Sequence, residues 1–312
     1  MKPGLKDLEY IQTGGIYMSA ITGNTRLTGL LGSPVKHSIS PLMHNFSFQY
    51  LGMDCVYLAF DINEQTLEKA VEGLKALQVM GFNLTMPNKN KILEYLDGLS
   101  PAARLIRAVN TVENQNGCLI GHNTDGIGFM RSVKEQGIQM KGQTMTLMGI
   151  GGAATAICAQ AALDGVKKIH IFARSASSHL PRIQHLSSEL EKETACQIFI
   201  HDTKDLDTLK TTMKESRLFV NATSVGMAPH TEGCILPDPS FLFPELAVAD
   251  IIYSPWETRL LTMAKEAGCI AFNGYSMLLW QGAEAFHIWT GQEMPMKQLK
   301  DYLRQKTGIS GI

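Results

Sequence analysis

The chain has 312 residues, of which 45% are hydrophobic and 18% are charged. This length exceeds the usual single domain, so we expect two lobes, and the apolar content excludes a disordered protein. A formal net charge of -1 leaves no basic excess to neutralise a run of phosphates, which argues against nucleic-acid and anionic-membrane partners. We therefore expect a globular protein that binds a small molecule.

Cysteine usage and the apolar runs indicate the cellular compartment. The six cysteines are widely scattered, with no CxxC pair and no metal-ligand spacing with histidine. No apolar run approaches the roughly 20 residues that span a bilayer, and the N-terminus lacks a basic segment followed by an apolar one. These features predict a cytoplasmic protein with reduced thiols and no metal site.

From Leu27 onward, short apolar runs alternate with helical stretches. This alternation is typical of βα units around a largely parallel sheet. The first part of the chain holds three predicted strands, at residues 27–32, 56–60 and 79–85. The second part holds a longer series, within residues 143–149, 167–175, 196–202, 217–224, 246–253 and 269–275. Five or six short strands separated by helices predict a nucleotide-binding sheet.

Local signals mark where helices and turns begin. The Ser-Pro pairs at 40–41 and 100–101 each predict an N-cap followed by the first helical position, because proline's missing N–H costs nothing there. The Asn-Gly pair at 116–117 predicts a hairpin turn. A helix is then predicted to begin near Gly126, and we place a lobe boundary there.

These elements predict an α/β fold of two lobes. We assign a substrate-binding lobe to residues 18–125 and 275–312, and a Rossmann-type dinucleotide-binding lobe to residues 126–274. The last two helices are expected to return to the first lobe. Residues 1–17 look irregular and form an extension of unknown role.

A glycine-rich turn at 149–153 carries the clearest binding signal. Gly149, Gly151 and Ala154 have GxGxxA spacing between a predicted strand and a predicted helix. Gly149 permits the tight turn, and Gly151 removes a side chain where a pyrophosphate must approach the helix N-terminus. Gly152 and Ala153 extend the same bare surface. The pattern predicts a dinucleotide site, and the alternative is a turn that only packs helix on strand.

The end of the next strand bears on the choice of cofactor. An NAD site usually offers an acidic side chain to the ribose 2′-hydroxyl, whereas an NADP site offers arginine to the 2′-phosphate. Here Arg174 and Ser175 follow the strand, and no Asp or Glu stands near them in the sequence. We expect NADP rather than NAD, although a solvated surface arginine is the alternative and both cofactors stay open.

Polar residues also follow several apolar strands, where packing alone would not require them. They form the segments HSISP (37–41), NLTMPNK (83–89), AVNT (108–111), HNTDG (122–126) and WQGAE (280–284). Together with GIGGA, NATSVGM and NGYSMLLWQ, their order resembles the shikimate and quinate dehydrogenases over nearly the whole chain from Leu27. MPNK, YLAF and MLLWQGAEAF are similar to the quinate/shikimate branch. The resemblance implies a two-lobe NAD(P)-dependent oxidoreductase of aromatic amino acid biosynthesis.

The resemblance implies that Lys89 and Asp125 are the catalytic pair. Taking hydride from a ring carbinol requires the hydroxyl proton to leave, and the reverse reaction requires charge on oxygen to be stabilised and protonated. A lysine supplies both charge and proton, and a carboxylate beside it holds the ammonium in place. Alternatively, Lys89 is a solvated residue and Asp125 a helix cap.

Other contacts are implied in the same way. Hydroxyls at a helix N-terminus suit a carboxylate, and amides suit ring hydroxyls. The implied substrate-binding residues are Ser38, Ser40, Tyr57, Thr85, Asn110, Tyr253 and Gln281. The implied cofactor-binding residues, besides the glycine-rich turn with Arg174 and Ser175, are Asn221, Thr223, Ile251, Gly274 and Met277.

Three hypotheses remain at this stage. The first is hydride transfer at C3 between NAD(P) and shikimate or quinate, which gives 3-dehydroshikimate or 3-dehydroquinate. The second is another two-lobe dehydrogenase, of the folate or amino-acid type. The third is a non-catalytic NAD(P)-binding regulator, which we would expect to lack Lys89 or Asp125. The sequence leaves open the choice between quinate and shikimate, and whether the protein forms a homodimer.

Overall fold

The computed structural model describes residues 20–309 and 311, so the predicted extension at residues 1–17 lies outside the described part. The strands are β1 (Arg26–Gly32), β2 (Cys55–Asp61), β3 (Gly81–Leu84), β4 (Gly98–Leu99), β5 (Thr111–Gln115), β6 (Cys118–His122), β7 (Thr144–Met148), β8 (Lys168–Ala173), β9 (Gln197–Asp202), β10 (Leu218–Asn221), β11 (Ala247–Asp250) and β12 (Ile270–Asn273).

The helices are α1 (Ser40–Tyr50), α2 (Leu67–Ala76), α3 (Pro101–Ile106), α4 (Asp125–Glu135), α5 (Gly152–Leu163), α6 (Leu180–Glu193), α7 (Leu206–Glu215), α8 (Arg259–Glu266), α9 (Tyr275–Thr290) and α10 (Met296–Thr307). Short 3₁₀ helices span Lys91–Tyr95 and Pro239–Phe241. The described residues include no helix with the length and apolar character that crossing a bilayer requires.

The first sheet has the order β2-β1-β3-β5-β6-β4 and is mixed. Strand β1 pairs in parallel with β2 and β3, whereas β5 pairs antiparallel with β3 and β6. The β5–β6 hairpin turns at Asn116 and Gly117, whose φ angles are 54° and 93°. Two successive positive φ angles are what a type I′ turn requires, so the predicted turn is confirmed.

The second sheet has the order β12-β11-β10-β7-β8-β9, and all its pairs are parallel. The predicted series of strands is confirmed. The chain runs outward from β7 in one direction through β8 and β9, and in the other through β10, β11 and β12. Ligands of such sheets bind outside the carboxyl ends of the strands at this reversal.

The C-terminal helices pack on the first lobe, as predicted. Met43 and Phe48 of α1 share one buried cluster with Phe286 of α9 and with Leu299 and Leu303 of α10. All five side chains are fully buried. Their burial removes the apolar faces of three helices from water, which is the main force available to hold the end of the chain there.

Helix α4 lies between α5 and α9 and touches both through glycines. A Cβ atom at Gly128 would lie 2.6 Å from the main-chain nitrogen of Gln281 in α9. A Cβ atom at Gly126 would overlap the carbonyl oxygen of Ala156 in α5. No side chain separates the helix backbones at these points, so α4 is held closely against both neighbours.

Of the two helix starts predicted at Ser-Pro pairs, one is confirmed and the other is wrong by one position. Ser100 is the N-cap of α3 and its side chain accepts a hydrogen bond from the Ala103 N–H, as predicted. The prediction for Ser40 is wrong by one position, because Ile39 is the N-cap and Ser40 is the first residue of α1. The main-chain N–H of Ser40 instead donates to Ser38 Oγ at 3.2 Å.

Candidate active site

Lys89 and Asp125, the predicted catalytic pair, are in contact. Lys89 lies in the loop after β3, and Asp125 is the first residue of α4 rather than its cap. The distance from Lys89 Nζ to Asp125 Oδ2 is 2.6 Å, with 30% and 13% of the two side chains exposed. Both groups are therefore partly shielded from water yet reachable, as a proton-transfer pair must be.

The Asp125 carboxylate is held on both of its oxygens. Asn110 Nδ2 donates to Asp125 Oδ1 at 2.8 Å, while Oδ2 faces Lys89. The position at the start of α4 adds the favourable field of the helix N-terminus. Gln281 Oε1, from α9, lies 3.3 Å from the same Asn110 nitrogen. The structure thus brings together four of the predicted residues, from four different elements.

A buried hydrogen-bond network supports Asn110. Its Oδ1 accepts from the main-chain N–H of Thr124 at 2.8 Å. Asn83 Nδ2 donates to the Asn110 carbonyl at 3.0 Å and to Thr111 Oγ1 at 2.9 Å. Asn83 Oδ1 in turn accepts from the Tyr57 hydroxyl at 2.8 Å. Thr111 and Thr124 complete this network, although neither was predicted as a site residue.

Tyr57 differs from the other implied substrate residues because its side chain is fully buried. Burial raises the pKa of Tyr57, so the hydroxyl stays protonated and donates to Asn83. In this structure Tyr57 supports Asn83 and stacks on His44 at 4.4 Å. A direct contact between Tyr57 and a substrate carboxylate stays a prediction.

Ser38, Ser40 and Thr85 follow the carboxyl ends of β1 and β3, which are neighbours in the first sheet. Ser38 and Thr85 are half-buried, and Ser40 is 9% exposed. Thr85 packs against Gly32, where a Cβ atom would overlap its methyl group. The absence of a side chain at Gly32 therefore lets the two loops approach each other.

The glycine-rich turn has the geometry that a pyrophosphate needs. Gly149 has φ +107°, and a Cβ atom there would lie 2.9 Å from the Ala222 carbonyl oxygen. Gly151 is the N-cap of α5 and makes no side-chain cap hydrogen bond. No atom lies within 4 Å of the positions that Cβ atoms of Gly151 and Gly152 would take. The backbone at the start of α5 is therefore accessible at these two positions, which fits an anion at this helix N-terminus.

A buried carboxylate that sequence reasoning missed organises the loops after β10 and β11. Asp250 is 1% exposed and accepts hydrogen bonds from Asn221 Nδ2 at 3.1 Å, Thr258 Oγ1 at 2.7 Å and the Ile252 N–H at 3.1 Å. Burial raises the pKa of Asp250, and these three donors oppose the rise. Asn221 Oδ1 also accepts from the Thr223 hydroxyl at 2.7 Å.

The remaining implied cofactor residues lie around the same loops. Tyr253 is 44% exposed, whereas Met277 is 9% exposed and packs in the core of the second lobe beside Ile251. A Cβ atom at Gly274 would overlap the Ile251 carbonyl oxygen, so glycine is needed for the approach of α9 to the β11 loop. The structure therefore gives Gly274 a packing role, which its implied cofactor contact does not exclude.

An acidic residue that is distant in the sequence lies near the end of β8, which Arg174 follows. Sheet pairing places Asp202, at the end of β9, directly opposite Ala173 at the end of β8. The Asp202 carboxylate accepts a hydrogen bond from the Lys204 N–H at 2.8 Å, which lowers the pKa of Asp202. Arg174 is exposed and forms no ion pair with any residue that the structure describes. A search along the sequence missed Asp202 because the contact crosses between strands.

Within residues 20–309 and 311, no group of three or more His, Cys, Asp or Glu side chains is placed to hold a metal ion. The contacts described above instead offer a partly shielded ammonium–carboxylate pair on the first lobe and an anion-binding helix N-terminus on the second.

Comparison with known proteins finds relatives along nearly the whole chain. A family model described as the shikimate dehydrogenase substrate binding domain matches residues 30–112, and one described as the shikimate 5′-dehydrogenase C-terminal domain matches residues 274–301. A shikimate dehydrogenase (NADP(+)) from Listeria monocytogenes serotype 4b (strain F2365) is 49% identical over 283 residues, which make up 91% of this chain and 97% of that protein.

Solved structures agree with this result. The shikimate 5-dehydrogenase from Listeria monocytogenes, in complex with shikimate and NAD, is 48% identical with a TM-score of 0.89, over 92% of this chain and 99% of that one. A shikimate dehydrogenase in complex with NADP+ is 35% identical with a TM-score of 0.82, over 94% and 99% of the two chains. These matches support the first hypothesis rather than a folate or amino-acid dehydrogenase or a regulator. The chain belongs to the shikimate dehydrogenase family of oxidoreductases.

Proposed function

We propose that this protein interconverts shikimate and 3-dehydroshikimate by hydride transfer at C3, with NADP or NAD as the cofactor. Quinate and 3-dehydroquinate are a second pair of substrates with the same reacting group. The observation that carries the proposal is the 2.6 Å contact between Lys89 and Asp125, in which Asn110 donates to Asp125 and also contacts Gln281. The relatives named above bear the same activity in their names.

The second lobe fits a dinucleotide on observations independent of those names. The N-terminus of α5, with the open space at Gly151 and Gly152, would hold the pyrophosphate. Ala153, Asn221, Thr223, Ile251, Gly274 and Met277 would line the path toward the nicotinamide. A nicotinamide dinucleotide held there would supply the hydride acceptor for the carbinol and the hydride donor for the ketone. Arg174 would face the adenosine end, where the strand after the glycine-rich turn stops.

Lys89 and Asp125 would handle the proton. In the oxidation direction, Lys89 in its neutral amine form would accept the hydroxyl proton as the carbinol carbon loses hydride, and Asp125 would hold the ammonium that results. In the reduction direction, the Lys89 ammonium stabilises the charge that develops on oxygen and then protonates it. Asp125 keeps the ammonium aimed at this oxygen, and the bond from Asn110 prevents the carboxylate from turning away.

The other polar groups would orient the ring. Ser38 and Ser40, at the start of α1, would bind the substrate carboxylate through hydroxyls and free N–H groups. Thr85, Asn110 and Gln281 would bind the ring hydroxyls, and Tyr253 would close the site from the second lobe. Tyr57 would support the site for the substrate carboxylate, because its hydroxyl lies near Ser40 and donates to Asn83.

We propose the same division of the chain as the sequence indicates. The substrate-binding domain would comprise residues 18–125 and 275–312, and the dinucleotide-binding domain residues 126–274. Support comes from the two separate sheets and from the packing of α9 and α10 on α1.

The proposal is tested by following the absorbance of reduced nicotinamide after mixing the protein with each cofactor and each acid. Shikimate, quinate, or both should give reduced cofactor, because each carries the carbinol that the Lys89–Asp125 pair would deprotonate. Glutamate and methylene-folate are the controls and should give none. Reduction with a control compound but with neither ring acid would contradict the proposal.

A further inference from the structure

Asp250, the last residue of β11, joins the loops at the carboxyl ends of β10 and β11. Its Oδ1 accepts from Asn221 Nδ2 at 3.1 Å and from the Ile252 N–H at 3.1 Å, and its Oδ2 accepts from Thr258 Oγ1 at 2.7 Å. Only 1% of the residue is exposed, so water does not compete for these donors. One carboxylate therefore holds together the β10 loop, the β11 loop and the start of α8.

The contact with Asp250 orients the Asn221 amide. With three donors aimed at it, Asp250 serves only as an acceptor, so Asn221 turns its Nδ2 toward Asp250 and its Oδ1 toward Thr223. Asn221 Oδ1 accordingly accepts from the Thr223 hydroxyl at 2.7 Å and from the Thr223 N–H at 3.1 Å. The Thr223 hydroxyl oxygen accepts in turn from the Val225 N–H at 3.1 Å. The order that Asp250 imposes thus extends along the β10 loop as far as Val225.

The β11 loop also contacts the start of α9. The Ile251 N–H donates to the Asn221 carbonyl at 3.0 Å. The Gly274 N–H donates to the Ile252 carbonyl at 3.1 Å. Helix α9 begins directly after Gly274 and bears Gln281, an implied substrate contact. The buried carboxylate therefore also sets both loops relative to the helix that reaches the proposed substrate site.

The glycine-rich turn packs on the same β10 loop. A Cβ atom at Gly149 would lie 2.9 Å from the Ala222 carbonyl oxygen and 3.0 Å from Thr223 Cγ2. A dinucleotide held at this turn lies outside the carboxyl ends of the strands, where the β10 and β11 loops stand. A shift of these loops would move the nicotinamide relative to the ammonium–carboxylate pair of the first lobe.

We propose that Asp250 is a positioning residue, which fixes the β10 and β11 loops so that they hold the nicotinamide at reacting distance from the carbinol carbon. This role rests on the proposed function for the identity of the cofactor, and it concerns the nicotinamide half alone. Because Asp250 is buried, it would act through Asn221 and Thr223 and touch neither cofactor nor substrate. Its removal would leave buried donors without their acceptor, a cost that the loops relieve by moving.

The experiment compares two substitutions of Asp250. D250A removes all three acceptor contacts. D250N keeps one oxygen for Asn221 and Ile252 and turns its NH₂ group toward the Thr258 hydroxyl, which is able to accept. D250N should therefore preserve the arrangement of the loops that D250A loses.

The control is S216A, at the amino end of β10. Ser216 is 6% exposed, and its Oγ donates to the Thr212 carbonyl at 2.9 Å and lies 2.8 Å from Thr146 Oγ1. This substitution also breaks buried hydrogen bonds in the second lobe, but at the end of the sheet that faces away from the β10 and β11 loops.

Binding is measured by titration calorimetry without any ring acid. NADPH is compared with 2′-phospho-ADP-ribose, and NADH with ADP-ribose, so that each pair differs only in the nicotinamide. The ratio of the two dissociation constants isolates the contribution of the nicotinamide half. Loss of folded protein lowers the number of sites and leaves this ratio unchanged, so a merely structural role would not alter it.

We expect the unmodified protein, S216A and D250N to bind the better of the two cofactors at least about fivefold more tightly than its fragment. In D250A this preference should fall below about twofold, while the dissociation constant of the fragment stays the same. An unchanged preference in D250A, an equal loss in S216A, or no preference in the unmodified protein would overturn the inference.

Turnover with shikimate tests the positioning itself. D250A should lower kcat by about 10- to 100-fold, because a displacement of about 1 Å has an effect of this size, and D250N should stay within about threefold of the unmodified protein. An unchanged kcat in D250A would also count against the role. If the unmodified protein oxidises neither shikimate nor quinate while the binding preferences are as expected, the proposed function fails and the role of Asp250 stands.

Discussion

Lys89 Nζ lies 2.6 Å from Asp125 Oδ2, although one residue follows β3 and the other begins α4. Asn110, the residue before β5, donates to the other oxygen of Asp125 and so holds the carboxylate in this position. The hydrogen bond from Asn110 and the contact with Lys89 together fix the carboxylate, so the pair orients the ammonium.

Replacing Lys89 by alanine should reduce kcat by about 10²- to 10⁴-fold, because both the proton and the charge beside the reacting oxygen are lost. The KM for shikimate should stay within a small factor, since the ring would be held mainly by hydroxyls and amides. Steady-state kinetics check both constants. The control is Lys91→Ala, which removes an exposed lysine that pairs with Glu94. Near-normal turnover in Lys89→Ala would remove Lys89 from the chemistry.

Arg174→Ala should raise the KM for NADP+ by about three- to tenfold and change the KM for NAD+ much less, because only NADP carries the 2′-phosphate. The measurement is a pair of saturation curves, one for each cofactor, at fixed shikimate. A rise of equal size in both constants would mean that Arg174 does not contact the phosphate.

Gly128→Ala should destabilise the fold by about 1–3 kcal/mol, because the new methyl group would press on the Gln281 backbone in a buried contact. The matched control is Gly73→Ala, in the exposed middle of α2, where no atom lies within 4 Å of a new Cβ. That change should stabilise the protein by roughly 0.5–1 kcal/mol. Urea unfolding measures both. Equal effects of the two substitutions would contradict the close α4–α9 contact.

His44 should make the fold sensitive to acid. Its side chain is fully buried, neither ring nitrogen has a hydrogen-bond partner, and burial lowers the pKa of His44 to about 3. The unfolded chain takes up a proton near its ordinary pKa of about 6.5, so stability from the neutral ring is present above that pH and is lost as pH falls toward 3.

His44→Phe removes this titration and keeps a flat ring against Tyr57 and Trp289. Relative to the unmodified protein, the variant should gain about 2 kcal/mol of unfolding free energy between about pH 7 and about pH 5. Any packing cost of the larger ring is the same at both pH values, so it cancels from the difference in unfolding free energy between them. His230→Gln, at an exposed position, should leave the pH dependence unchanged. A parallel pH dependence in His44→Phe and the unmodified protein would contradict a neutral buried His44.

Local patterns predicted much of this molecule. The glycine spacing at 149–153 and the Asn116-Gly117 turn are governed by backbone conformation, which neighbouring residues specify. The alternation of apolar runs located the strands, because burial on both faces of a parallel sheet requires them. The start of α1 was misplaced by one residue, since Ser38 rather than Ser40 supplies the accepting hydroxyl.

Contacts between distant segments could not be predicted in this way. Asp202 lies opposite Ala173 only because β8 and β9 pair in a particular register. Asp250 collects donors from three segments, and a single acid after an apolar strand gives no sign of this. The burial of Tyr57 likewise depends on how α9 covers β2.

The two glycines of α4 have a consequence for hydride transfer. At Gly126 the backbone of α4 packs directly against α5, which begins at the glycine-rich turn. At Gly128 it packs directly against α9, which bears Gln281. In the proposed reaction, hydride would pass between groups held by these two elements, and the close backbone contacts would keep their spacing constant. A methyl group at Gly128 would press on Gln281, a proposed substrate ligand, whereas one at Gly126 would press on Ala156 in α5.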